Sequence, residues 1–114
     1  MMRWALLRKF VEERNWKKGA ELGVWRGKTY KYLLTHCPDL TLIGVDLYKP
    51  QPDSTGPETW VAGENGHEWD HEKYYKDITD FQELTGYRAQ FIRATTKEAS
   101  WQVEDESLDF VFIV

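Results

Sequence analysis

The sequence has little cysteine and no long apolar segment. A single cysteine, Cys37, stands among 114 residues, which excludes an internal disulfide and a metal site built from several cysteines. One lone thiol is typical of proteins from a reducing compartment, so we expect a cytoplasmic protein. The apolar run near the N-terminus, Trp4–Leu7, is only four residues long. It is too short for a signal-peptide core or a membrane span.

Positive charge is also sparse and scattered. The chain has 15 Lys and Arg against 19 Asp and Glu, a formal net charge of −4. Beyond short pairs such as Lys17-Lys18, no basic stripe of the kind that binds nucleic acid stands out. We therefore expect neither a nucleic-acid nor a membrane partner, and binding of a neutral or cationic small molecule suits this charge best.

Four apolar runs of strand type alternate with segments of helical periodicity, in a chain long enough for one domain. The predicted helices cover residues 3–15, 28–36, 65–86 and 95–103, and the predicted strands cover 19–24, 40–45, 89–93 and 108–114. Strands joined by helical crossovers form parallel sheets with helices on both faces. We therefore predict an α/β fold, a Rossmann-like parallel sheet of about four strands. It forms a single domain over residues 1–114, with an N-terminal helix in 1–16 and a long loop at 47–66.

A predicted strand-to-helix turn, Glu21–Thr29, is the strongest candidate site. Gly23 lets the chain turn sharply beside a ligand, Gly27 keeps the helix start clear of it, and a helix N-terminus favours an anion. The spacing excludes two phosphate motifs. Only three residues separate Gly23 from Gly27, where a P-loop needs four, and Trp25 stands where a dinucleotide fingerprint needs glycine. The glycines alone would also suit a turn without a ligand. Glu21 favours a ligand, because a carboxylate inside a short apolar strand is costly unless it is paired or meets a cation.

A second acidic residue, Asp46, directly follows the second predicted strand, 23 residues after Gly23. An acidic residue at this place suits bidentate hydrogen bonding to ribose hydroxyls, although Asp after a strand also forms ordinary turns. Parallel α/β sheets bind ligands at the carboxyl ends of their strands. Glu21, the glycine turn and Asp46 together therefore indicate a site for an adenosyl nucleoside.

At these residues the sequence resembles the class I S-adenosylmethionine-dependent methyltransferases, above all their small-molecule (catechol-type) O-methyltransferase branch. That branch carries the pattern E-L-G-x-Y-x-G-x-S, and the matching residues here are Glu21, Leu22, Gly23, Trp25, Gly27 and Thr29. The resemblance implies that Glu21 and the Gly23 turn hold the methionine moiety of S-adenosylmethionine and that Thr29 receives its carboxylate. It further implies that Asp46 binds the ribose and that three residues after the third strand contact the adenine: Ala94, Thr95 and Thr96.

The same resemblance implies methyl transfer to a small-molecule acceptor. This sequence also departs from the family pattern in two ways. The family commonly places Asp after its fourth strand, where this chain has Val114, and it continues through three further strands. We therefore expect a C-terminally incomplete domain whose fourth strand, 108–114, is an open edge through which the chain forms homo-oligomers. These residues identify no general base and no metal site. The alternative hypothesis is a catalytically inactive, truncated domain that binds a nucleoside or oligomerises.

Other candidate residues favour plainer interpretations. His67 and His71 have a spacing that can bind zinc, but no third ligand accompanies them, and a solvated helix face is the preferred interpretation. The aromatic residues between Trp60 and Tyr75 suit either a cover over the cofactor or a small cluster that anchors the long loop.

Overall fold

A computed structural model of the chain describes residues 3–25, 27–48, 71–104 and 106–113. Helices and strands alternate along these ranges. The helices are α1 (Arg3–Arg14), α2 (Lys28–His36), α3 (His71–Leu84) and α4 (Thr96–Ser100), and the strands are β1 (Lys18–Leu22), β2 (Thr41–Val45), β3 (Ala89–Ile92) and β4 (Phe110–Ile113). Across the described ranges, no helix has both the length and the apolar character that crossing a lipid bilayer requires.

The four strands form one parallel sheet in the order β3-β2-β1-β4. Leu22 at the end of β1 lies opposite Val45 at the end of β2, and Val45 lies opposite Ile92 at the end of β3. On its other side β1 pairs with β4, where Leu22 lies opposite Ile113. The strands therefore end level with one another, and the segments that follow them lie along one edge of the sheet.

Helices α1, α2 and α3 cover one face of the sheet. The hydroxyl of Tyr30, a fully buried residue of α2, shares its one hydrogen between the carbonyl oxygens of Gln90 at 2.6 Å and Leu42 at 3.3 Å. Gly44 makes room for this ring, because a Cβ atom there would lie 2.9 Å from it. Buried apolar side chains from the helices, the strands and the residue before β2 complete the core of this face: Val11, Leu33, Leu34, Leu40, Ile78 and Ala89.

Among the described elements, only α4 packs on the opposite face. Its Ala99 is buried against Ala20, Ile43 and Val45 of the sheet. Helices thus lie on both faces, which confirms the predicted Rossmann-like α/β sheet. Beside α4 this face carries a groove of about 430 Å³ that extends to Val111 of β4.

Local sequence signals explain several helix boundaries. Helix α2 has the predicted bounds and ends before Pro38. Helix α4 follows its N-cap Thr95, which forms the predicted capping box with Glu98, although the helix ends at Ser100 rather than near Val103. Helix α3 ends shortly before Gly86, which adopts a left-handed φ of 62°. The predicted start of this helix near residue 65 and the predicted loop at 47–66, except residues 47 and 48, lie outside the described residues.

Candidate functional site

Most of the predicted site residues lie at the carboxyl edge of the sheet, where β1, β2 and β3 end. The N–H of Gly23 donates to the carbonyl oxygen of Val45 at 2.8 Å, and the N–H of Asp46 donates to that of Ile92 at 3.3 Å. These bonds continue the pairing of the strands by one residue. The structure therefore brings together the glycine turn after β1, Asp46 after β2 and the loop after β3.

The turn after β1 has a left-handed backbone at three residues. Gly23 has a φ of 87°, Trp25 of 54° and Gly27 of 80°. Glycine adopts this conformation freely, whereas a side chain such as that of Trp25 makes it cost roughly 1–2 kcal/mol. At Gly27 there is a second constraint, because a Cβ atom there would collide with the side chain of Ile78 in α3. The absence of a side chain at Gly27 thus allows α3 to pack against the turn.

The carboxylate of Asp46 binds the main chain of this turn. Its Oδ2 accepts the N–H of Val24 at 3.0 Å and that of Trp25 at 2.9 Å, and its Oδ1 accepts the N–H of Tyr48 at 2.8 Å. A carboxylate offers about four acceptor positions, two on each oxygen. Both positions of Oδ2 are therefore used, and the remaining position is on Oδ1. Asp46 holds the glycine turn in addition to any contact with a ligand.

Glu21 is a buried carboxyl group on β1, two residues before Gly23. Its residue surface is 2% exposed, and its Oε2 has no hydrogen-bond partner among the described residues. Burial raises the pKa of this carboxyl to about 8, while Arg3 acts to lower it and Asp46 to raise it. Glu21 is therefore mostly neutral at pH 7, and a positive charge bound beside it would favour its ionised form.

Helix α2 begins directly after the turn. Its N-cap is Gly27, which supplies no side-chain hydrogen bond. The N–H groups of the first helical turn have no carbonyl partner within a helix, and the helix dipole favours an anion near them. Thr29 lies in this first turn, but only 6% of its surface is exposed. Gly27 and Tyr30 are buried as well, so Lys28 is the exposed residue at the start of α2.

The predicted adenine-contacting residues follow β3 at the same edge. The Oγ1 of Thr95 accepts the N–H of Glu98 at 3.2 Å, and the N–H of Thr95 donates to the Glu98 carboxylate at 3.2 Å. Ala94 is half-buried, and Thr95 and Thr96 are exposed. The capping box fixes the conformation of this loop and leaves its surface accessible. Contact with adenine stays a prediction.

Sequence reasoning missed two residues that connect the elements of this site, Tyr48 and Arg93. Tyr48 is 1% exposed, and its hydroxyl donates a hydrogen bond to the carbonyl oxygen of Trp25. Arg93 donates to the carbonyl oxygens of Leu47 and Tyr48, each at 3.2 Å, and forms an ion pair with Glu72. Neither residue belongs to a recognisable pattern, and only their places just after the ends of strands could have drawn attention to them.

Of the candidate aromatic residues between Trp60 and Tyr75, those the structure describes lie at this edge: Tyr74 packs against the ring of Trp25 and Tyr75 against that of Tyr48. His67 and the side chain of His71 lie outside the described residues. Within the described ranges, no group of three or more His, Cys, Asp or Glu side chains is arranged to hold a metal ion. Cys37 is buried in the core, next to the C-terminus of α2.

Comparison with solved structures identifies the fold. A caffeoyl-CoA O-methyltransferase-like protein from Staphylococcus aureus matches 97% of this chain with a TM-score of 0.64 and 14% identity, over 43% of its own length. A cyclopropane-fatty-acyl-phospholipid synthase-like protein from Lactobacillus casei matches 96% of the chain with a TM-score of 0.50 and 16% identity, over 36% of its own length. No family model and no curated protein matches the sequence.

These similarities show that the chain has the Rossmann-like fold of class I methyltransferases. The chain spans less than half of the length of either solved structure.

Proposed function

We propose that the chain is the cofactor-binding part of an S-adenosylmethionine-dependent methyltransferase that acts on a small-molecule acceptor. The observation that carries the proposal is the state of Glu21. Its carboxyl group is buried beside the edge where sheets of this type bind ligands, and its Oε2 lacks a partner among the described residues. A buried carboxyl without a partner is unfavourable, and a ligand that satisfies it removes that penalty.

The chemistry of S-adenosylmethionine fits the groups at this edge. The cofactor carries positive charge on its sulfonium and ammonium groups, which suits Glu21. Its carboxylate suits the start of α2, and one ribose hydroxyl suits the remaining acceptor position of Asp46. When bound, S-adenosylmethionine supplies an electrophilic methyl group. The described residues bind and orient the cofactor, and positioning of this kind contributes much of the catalysis in group transfer.

Two further observations support the choice of cofactor and acceptor. The turn Glu21–Thr29 carries the pattern of the small-molecule O-methyltransferase branch, and the loop Ala94–Thr96 lies at the same edge of the sheet. One of the structural neighbours is named for O-methyl transfer. The net charge of −4 favours a small molecule over nucleic acid as the methyl acceptor.

Calorimetric titration with S-adenosylmethionine tests the proposal. Near pH 8, where Glu21 ionises, we expect wild-type protein to bind and Glu21→Gln to bind on the order of tenfold more weakly, because the neutral amide cannot pair with the positive charge. Glu83→Gln, a change at an exposed position of α3, is the matched control and should bind like wild type. Absence of binding by wild-type protein, or equal affinity of Glu21→Gln and wild type, would contradict the proposal.

A separate observation supports self-association of the chain. Self-association could accompany methyl transfer, or it could be the role of a catalytically inactive domain. Within the described sheet, β4 is an edge strand, and its Val111 and Ile113 are 52% and 72% exposed. An open apolar edge is a template for pairing with another chain. We propose that two copies of this chain pair through β4.

Sedimentation equilibrium at micromolar concentration tests this second proposal. Wild-type protein should form dimers or larger oligomers, and Val111→Lys should shift the equilibrium to monomers because it places a charge on the pairing strand. Leu84→Lys, at an 82% exposed position of α3, should leave the oligomeric state unchanged. A monomeric wild-type protein would refute pairing through β4.

A further inference from the structure

We propose that Tyr48 is a positioning residue for the cofactor-binding turn, acting together with Asp46 through hydrogen bonds to both polar groups of Trp25. The inference rests on the proposed function, because it assigns the turn to the cofactor. It concerns a residue that belongs to no motif in the sequence. Tyr48 also lies outside the set of residues that the methyltransferase resemblance assigns to the cofactor.

Tyr48 reaches the turn in two ways. Its hydroxyl donates to the carbonyl oxygen of Trp25. Its main-chain N–H donates to Oδ1 of Asp46 at 2.8 Å, and Oδ2 of the same carboxylate accepts the N–H groups of Val24 and Trp25. The peptide groups on both sides of Trp25 are therefore held by the segment that follows β2. Hydrogen bonds on both sides of Trp25 thus restrain the orientation of the turn.

The backbone at the two ends of this connection is strained. Trp25 has a φ of 54° and Tyr48 a φ of 50°, a left-handed conformation that bulky residues rarely adopt. Such conformations persist only where surrounding contacts impose them, and they cluster at functional sites. The hydrogen bond between the two residues is one of the contacts that keep their backbones in the left-handed region. Without it, we expect Trp25 to leave the left-handed region more often.

The surroundings of Tyr48 make its hydroxyl a fixed donor. The ring is buried and lies 6.0 Å from the ring of Tyr75 and 5.5 Å from that of Phe91, measured between centroids. The carbonyl oxygen of Tyr48 accepts a hydrogen bond from Arg93 at 3.2 Å. Both the ring and the main chain of Tyr48 are thus held independently of the turn. The hydroxyl therefore restrains the carbonyl group of Trp25 relative to the core of the sheet.

This arrangement also limits how Asp46 can bind a ribose. Three of its roughly four acceptor positions are used by main-chain N–H groups. While the turn keeps this conformation, Asp46 can accept one ribose hydroxyl through Oδ1. Acceptance of two hydroxyls would require it to release one of these N–H groups, either in the turn or at Tyr48. A variant that loosens the turn should therefore change cofactor affinity even though the altered side chain does not touch the cofactor.

The experiment compares Tyr48→Phe with Tyr30→Phe. Both substitutions remove a buried hydroxyl that donates to main-chain carbonyls and both keep the ring, but the Tyr30 hydroxyl bonds to Leu42 and Gln90 within the sheet. Two quantities are measured for each protein: the dissociation constant for S-adenosylhomocysteine, by calorimetry, and the hydrogen-exchange rates of the Val24 and Trp25 amides, by NMR. Thermal unfolding reports general loss of stability.

In Tyr48→Phe we expect about fivefold faster exchange at both amides and about fivefold weaker binding, the effect of one lost hydrogen bond. In Tyr30→Phe we expect a lower melting temperature, while the exchange rates of these amides and the dissociation constant stay as in wild type. Unchanged exchange and affinity in Tyr48→Phe, or equal changes in both variants, would overturn the inference. If wild-type protein does not bind the nucleoside, the proposed function fails, and the exchange rates alone still decide the role of Tyr48.

Should Tyr48→Phe fail to fold, Asp46→Asn replaces it in the exchange measurement. An amide side chain keeps the shape of the carboxylate but presents only one acceptor atom. We then expect faster exchange at the amides that lose their acceptor, either Val24 and Trp25 together or Tyr48. Rates equal to those of wild type would show that the segment after β2 does not hold the turn.

Discussion

The buried carboxyl of Glu21 makes the stability of this protein depend on pH in a direction opposite to that of most acidic groups. Its pKa is about 8 in the folded protein, against an ordinary value of 4.5. The folded state therefore binds this proton more tightly than the unfolded state. The associated stabilisation is complete below pH 4.5 and is lost progressively as the pH rises to about 8.

The magnitude follows from the size of this interval. Each pH unit between the two pKa values lowers the free energy of unfolding by about 1.4 kcal/mol. The loss from this one group is then about 3 kcal/mol at pH 7 and about 5 kcal/mol above pH 8, relative to acidic solution. Small domains have a total stability of only about 5–15 kcal/mol, so the change from this one group is a large fraction of the total.

Glu21→Gln removes the titration and nearly preserves the shape of the side chain. Between pH 5 and pH 7, the free energy of unfolding of wild type should fall by about 3 kcal/mol relative to that of Glu21→Gln. Urea unfolding at a series of pH values, followed by the fluorescence of the six tryptophans, measures this difference. The change with pH is the informative quantity, because any constant effect of the amide on packing cancels from it.

Glu83→Gln, the same exchange at an exposed position of α3, serves as the control, and its stability relative to wild type is measured over the same pH series. Stability curves of wild type and Glu21→Gln that run parallel across this interval would refute the reasoning. Such a result would mean that Glu21 is ionised in the free protein. The carboxylate would then have to be solvated or paired already, and it would need no ligand as a partner.

Three further predictions concern the turn and its supports. Asp46→Ala should weaken binding of S-adenosylmethionine at least about tenfold in calorimetry, because it removes charge-assisted bonds to the turn and an acceptor for ribose; equal affinity would exclude Asp46 from the site. Gly27→Ala should lower the free energy of unfolding by about 2–4 kcal/mol, because Gly27 has a left-handed backbone and a Cβ atom there would collide with Ile78. Gly86→Ala, which is also left-handed but has open space around it, should lower it by only about 1 kcal/mol. Similar losses in the two variants would contradict this. Arg88→Met should lower stability by about 2–3 kcal/mol, since it deprives three carbonyl oxygens of their donor, with cofactor affinity unchanged; a larger effect on affinity than on stability would argue against a purely structural role.

Much of the secondary structure could be predicted because its determinants are local. Helix α2 begins after Gly27 and ends before Pro38, and α4 begins at the Thr95–Glu98 capping box, where two side chains close to each other in sequence satisfy the free N–H groups of a helix start. The alternation of apolar strands with helices was sufficient to predict a parallel sheet with helices on both faces. The same holds for the candidate site: Glu21 and Gly23 lie in the second half of the first predicted strand and Asp46 directly follows the second, and parallel strands bring such positions to one edge.

Only the tertiary structure decided how these residues act on one another. The order β3-β2-β1-β4 results from pairing between distant segments. This order places Asp46 where its carboxylate binds the turn, and it leaves the Oε2 of Glu21 buried without a partner among the described residues. Tyr48 carries no local signal, because its role depends on a hydrogen bond to Trp25, 23 residues away in sequence. Residue type and spacing determined which chemical groups meet at the edge of the sheet, while their hydrogen bonds, burial and pKa values depend on contacts that form only when the strands and helices pack together.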